Sequence, residues 1–95
     1  MTAPVSYTAT GRIGTIVIDS PPVNALSHGV RQGIIDCLKV AEADDTEVGI
    51  LRCEGRTFIA GADITEFGKP PQVPTLAAVL AALESHPKPI VAAIQ

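Results

Sequence analysis

The residues best suited to do chemistry lie in Thr57-Phe58-Ile59-Ala60-Gly61-Ala62-Asp63-Ile64. An apolar, β-branched run ends there at a small-Gly-small turn, and an acidic residue then opens a helical turn. A strand uses its amides in a ladder, whereas the leading N–H groups of a helix have no partners of their own. Ala60, Gly61 and Ala62 carry no bulky side chains, so an anionic or polarised oxygen can approach their backbone closely. Such a turn suits an oxyanion hole or a phosphate. Spacing alone favours the plainer reading, a buried strand that ends in a glycine turn, since short glycine motifs are weak signals.

The elements needed to position that turn follow from the pattern on either side. Val5 to Thr10 alternates apolar and polar residues, Gly11-Arg12 forms a turn, and Ile13 to Asp19 reads as a second strand. Gly11 and Gly14 bracket this hairpin turn. Ser20-Pro21-Pro22-Val23 breaks the strand. Ser27 caps a helix to about Ala43, with Val30, Ile34, Cys37, Leu38 and Ala41 on one face. Arg31, Gln32, Asp36, Lys39 and Glu42 form its polar face. Asp44-Asp45-Thr46-Glu47 reads as a solvated turn. Val48 to Cys53 is nearly all apolar, as expected of a strand covered on both faces.

Thr57 to Ala60 makes the next strand, and Asp63 to Phe67 a short helical turn. Gly68 to Pro74 is a Pro-rich exposed loop. Thr75 to Ser85 is a second helix with Leu76, Val79, Leu80 and Leu83 on one face, and Ile90 to Ile94 a last strand. The expected order is β-β-α-β-β-α-β, an α/β chain built on repeating ββα units.

Three stretches together resemble the crotonase (enoyl-CoA hydratase/isomerase) superfamily. Phe58 to Ile64 is similar to its FxAGADI signature, Pro21 to Ser27 to its upstream NAL loop, and His86 to Gln95 to its KPxVAAI strand. They occur in the family's order, and the likeness spans essentially the whole chain. Thr57 to Pro71 is most similar to the hydratase portion of multifunctional fatty-acid oxidation proteins, in which a 3-hydroxyacyl-CoA dehydrogenase follows.

The resemblance implies a crotonase-like spiral and a parent enzyme that hydrates 2-enoyl-CoA thioesters in β-oxidation. It implies Ala62 N–H as one oxyanion donor. Ala60, Gly61, Asp63 and Ile64 would lie along CoA, and Asn24, Ala25 and Leu26 would flank the pantetheine and ribose phosphate. The second donor and the catalytic glutamates of the family match nothing in these 95 residues. The expectation is therefore the N-terminal part of a hydratase/isomerase domain (residues 1–95), inactive alone. The alternatives are a non-catalytic CoA-binding module, a purely structural piece, or a related decarboxylase, dehalogenase or naphthoate-synthase reaction.

Other candidates have plainer readings. Asp63 suits the first turn of a helix better than general-base catalysis, and Glu66 reads as exposed. His28 and His86 read as capping or surface residues, and Lys69 and Lys88 as solvated loop lysines. Cys37 and Cys53 lack metal or redox spacing and read as core thiols of a reduced intracellular protein.

A net charge of −3 without a basic cluster argues against a nucleic-acid partner. No apolar run approaches the roughly 20 residues of a membrane span. Neither a metal nor a resident cofactor is expected: acyl-CoA is substrate, and NAD enters only with a following dehydrogenase. The expected setting is cytoplasmic, or peroxisomal or mitochondrial in a eukaryote. Uncovered strand edges favour self-association into an oligomer.

Overall fold

The computed structural model describes residues 4–21, 24–55 and 72–94. Six elements run in the order β1 (Val5–Thr10), β2 (Ile13–Ile18), α1 (His28–Ala43), β3 (Val48–Cys53), α2 (Leu76–Ser85) and β4 (Ile90–Ala92). The strand and short helical turn expected between Thr57 and Phe67 lie outside the described residues.

The four strands form one mixed sheet in the order β1-β2-β3-β4. β1 and β2 are the antiparallel hairpin, with Val5 opposite Ile18 and Thr10 opposite Ile13. β2 and β3 are parallel, Ile16 beside Leu51 and Ile18 beside Cys53. β4 adds in parallel at Gly49–Leu51. It is shorter than expected: Ala93 N still donates to Leu51 O at 2.9 Å, but the strand ends at Ala92.

Period-two alternation decides what is buried. Val5, Ile16, Ile18, Leu51 and Cys53 share one sheet face and meet Leu26, Val30, Ile34, Cys37 and Leu38, with Val79 of α2 closing the cluster. Burying each such aliphatic side chain contributes about 1.5–3 kcal/mol. α1 lies close to β1 at Gly33, where an added Cβ would stand 2.7 Å from Val5 Cβ. Both helices begin as expected. Ser27 Oγ accepts from Val30 N, and Thr75 Oγ1 accepts from Ala78 N at 3.2 Å.

The structure corrects four expectations here. β3 is buried on one face only: Val48, Ile50 and Arg52 alternate with fully buried neighbours and stay half-exposed. Leu80 does not join Val79 in the core but is 52% exposed, because Ala82 and Leu83 complete the packed face of α2. Arg31 leaves the polar face of α1 and is buried. The 44–47 turn is no simple solvated loop, since Thr46 is buried and Asp44 is tied down on three sides.

Candidate active-site edge

β2, β3 and β4 run parallel, so the sheet has an amino end and a carboxyl end. In open α/β sheets, ligands bind beyond the carboxyl ends of the strands. Here that end carries the loop from Ser20 into α1, the Glu54–Gly55 exit of β3, and the N-termini of α1 and α2.

Asn24 occupies the middle of this edge. Its φ is 55°, a left-handed conformation that Asn tolerates better than most residues, and it is only 3% exposed. Its backbone N–H donates to Ser20 O at 2.8 Å. Its side-chain Oδ1 accepts from Ser20 N at 2.8 Å, and Nδ2 donates to Glu54 O at 3.0 Å. Ala25 is half-buried. Ala25 O accepts from Ser27 N at 2.9 Å. Leu26 sends its side chain into the core.

Arg31 supports the same edge from below. Nη1 donates to Leu26 O at 2.7 Å and Nε to Pro74 O at 2.8 Å. His28 Nε2 lies 2.8 Å from Val73 O. The described end of the Pro-rich loop, residues 72–74, is therefore fastened to the first turn of α1 rather than projecting freely. Sequence patterning placed Arg31 on the wet face. The missed signal was its position one turn from Ser27, within reach of carbonyls that precede both helices.

The structure thus brings Asn24, Ala25 and Leu26 beside the exit of β3. Ala60, Gly61, Ala62, Asp63 and Ile64, with Glu66 and Lys69, lie outside the described residues. The remaining candidates fall elsewhere.

Lys88 sits at the amino end, where Nζ donates to Ala41 O, to Asp44 O at 2.9 Å and to Asp44 Oδ1 at 3.2 Å. It is a buried-edge cation serving the last carbonyls of α1, which has no basic residue of its own there. This corrects its reading as a solvated lysine. His86 caps α2 and its Nε2 lies 3.0 Å from Leu38 O.

Tyr7 Oη donates to Asp44 Oδ2 at 2.5 Å, and Thr46 donates through both N and Oγ1 to Asp44 Oδ1. These donors, Thr46 first, hold the Asp44 carboxyl well below the usual carboxylate range. Partial burial, reinforced by Asp44, raises the Tyr7 phenol. Gly14 makes the arrangement possible: an added Cβ would stand 2.2 Å from Tyr7 Oη. Its role is therefore close packing inside β2, beyond bracketing the hairpin turn.

Cys37 and Cys53 are free and buried. Burial, with the charge of Asp36, pushes the Cys37 thiol up, away from a nucleophilic thiolate. Among the described residues, no group of His, Cys, Asp and Glu is placed to hold a metal ion, and no helix is long and apolar enough to cross a membrane. A shallow groove of about 250 Å³ opens between α1 and α2 beside Leu38, Ala82 and His86. It contains none of the expected site residues.

Residues 8–95 match the sequence model of the enoyl-CoA hydratase/isomerase family. The chain belongs to that family. It is 40% identical over 84 residues to the peroxisomal bifunctional enzyme of Danio rerio, covering 87% of this chain and 12% of that protein. It is 39% identical over 90 residues to a probable enoyl-CoA hydratase of Bacillus subtilis, covering 86% of this chain and 35% of the relative. Among solved structures, the apo Mtb enoyl-CoA isomerase superposes with a TM-score of 0.87 at 32% identity, over 99% of this chain and 43% of that one. The chain spans between 12% and 43% of the length of these proteins. The four-stranded mixed sheet with its two helices is the crotonase fold in part.

Proposed function

We propose that this chain supplies one wall of an acyl-CoA site in a 2-enoyl-CoA hydratase/isomerase of fatty-acid oxidation, with the thioester at the carboxyl edge of β2 and β3. The observation that carries the reading is the fastening of the Asn24–Leu26 loop to the exit of β3. The Ala60–Ile64 stretch follows in sequence a few residues after that exit. Family membership supports the same assignment.

In this account Ala62 N–H donates to the thioester oxygen as negative charge develops there. A fixed donor in a water-poor site stabilises such charge by about 3 kcal/mol. Ala60, Gly61, Asp63 and Ile64 line CoA on one side, and the backbone of Asn24, Ala25 and Leu26 on the other. None of the chain's carboxylates matches the family's catalytic positions, so the 95 residues alone hold the thioester without hydrating it. NAD has no role in this step. The setting in this account is the cytoplasm, or the peroxisome or mitochondrion in a eukaryote.

Titration calorimetry with acetyl-CoA tests the assignment. The chain is expected to bind it, and Ala62→Pro, which deletes that N–H, to weaken the binding about tenfold or more. Crotonyl-CoA is expected to bind and remain unhydrated. No heat of binding with either thioester would contradict the assignment.

A further inference from the structure

We propose that Asn24 is a positioning residue: its side-chain amide holds the CoA-facing loop against β3 and does not itself touch the ligand. The inference rests on the acyl-CoA reading above and changes what that reading asks of Asn24. The family resemblance counts Asn24 among residues along CoA, whereas its geometry points inward.

Both functional ends of the amide are committed to the protein. Oδ1 accepts from Ser20 N at 2.8 Å, closing the start of the loop on itself. Nδ2 donates to Glu54 O at 3.0 Å, tying that loop to the strand end beside it. With 3% of its surface exposed and its backbone in the left-handed region, Asn24 cannot turn outward without losing all of these bonds. Glu54 N in turn donates to Ile18 O at 2.8 Å, so the bridge continues the β2–β3 ladder past the last paired residues. Ala25 and Leu26 follow directly, and Leu26 O is held by Arg31. Their backbone is the part of the loop left to meet a ligand. Two loops that must bind one molecule gain affinity when their spacing is set beforehand.

Two substitutions separate the contributions. Asn24→Gly keeps the left-handed backbone comfortable and removes both side-chain bonds. Asn24→Asp keeps the acceptor for Ser20 N but sets a carboxylate oxygen against the Glu54 carbonyl. The test is an amide NMR titration of the isotope-labelled chain with acetyl-CoA, following the Asn24 side-chain NH₂ signals alongside the backbone.

In the unsubstituted chain, those NH₂ protons should exchange slowly and move less on titration than the Ala25 and Leu26 amides. Asn24→Gly should weaken acetyl-CoA about tenfold, as when a binding-competent loop falls to about a tenth of the population. Asn24→Asp should weaken it at least as much, with the α1 and β2–β3 amides unchanged in both variants.

Asn24 NH₂ signals that shift more than those of Ala25 and Leu26 would show direct ligand contact and overturn the proposal, even if neither variant folds. Unchanged affinity in Asn24→Gly would overturn it while leaving the acyl-CoA reading intact. No acetyl-CoA shift anywhere in the unsubstituted chain would remove the acyl-CoA reading, and the positioning role with it.

Discussion

At the amino end of the parallel strands, Lys88, Asp44, Thr46 and Tyr7 form a charged cluster that joins β1, β4 and the last turn of α1. At the carboxyl end a neutral amide, Asn24, and a buried guanidinium, Arg31, bind only backbone groups in the bonds described. The first end uses side chains to satisfy one another and the helix C-terminus. The second uses side chains to hold the main chain of loops in place. Main-chain groups held at fixed spacing suit the recognition of a ligand by backbone donors, whereas a self-contained ionic cluster suits stability. Under the proposed acyl-CoA reading, the sheet thus has a structural end and a binding end.

The largest effect that would test this contrast comes from Arg31. Arg31→Leu leaves Leu26 O and Pro74 O without their donor, and should destabilise the chain by about 3 kcal/mol in urea unfolding. It should also loosen acetyl-CoA binding, since both loops of the binding end lose a tether. Lys88→Met is the matched change at the other end. It should lower stability by about 2 kcal/mol and leave acetyl-CoA affinity unchanged. Weakened affinity in Lys88→Met would erase the distinction between the ends.

The ends should also differ in their response to pH. Asp44 has a folded pKa below its ordinary 3.8, so its stabilising contribution is present above that value and is lost as pH falls below about 4. Tyr7 has a folded pKa above its ordinary 10.0, so its contribution is present below that value and is lost as pH rises past it. Backbone-exchange protection around Asp44 and Lys88 should therefore fall at both extremes. Protection of Ser20 N, held by a neutral amide, should decline only with the whole fold. The smallest effect is Tyr7→Phe. It should cost about 1 kcal/mol and abolish the alkaline limb while leaving the acid limb in place.

Much of the frame was legible in the sequence because it depends on local rules. Ser27 begins its helix at the position its hydroxyl predicts, the second helix starts within a residue of Thr75, and the alternation of Val5 to Ile18 defines the hairpin. The errors arise where a side chain acts far from its neighbours in sequence. Lys88 looked solvated because its acceptors, Ala41 and Asp44, lie on another element. Arg31 looked exposed because helical periodicity counts charge as outward, with no knowledge of carbonyls waiting above the helix. β3 looked doubly covered because an apolar run reports composition and not what lies against each face.

At the carboxyl end, the expectation that Asn24 to Leu26 lie beside CoA comes only from family resemblance. The inward geometry of the Asn24 amide has no signature in spacing at all.

The most direct test maps backbone amide shifts across the isotope-labelled chain as acetyl-CoA is added. The account predicts that shifts gather at Asn24–Leu26, Glu54–Gly55 and Ala60–Ile64, with Asp44, Thr46 and Lys88 unmoved. Shifts centred on the Lys88 cluster or the α1–α2 groove, with the carboxyl edge silent, would contradict it.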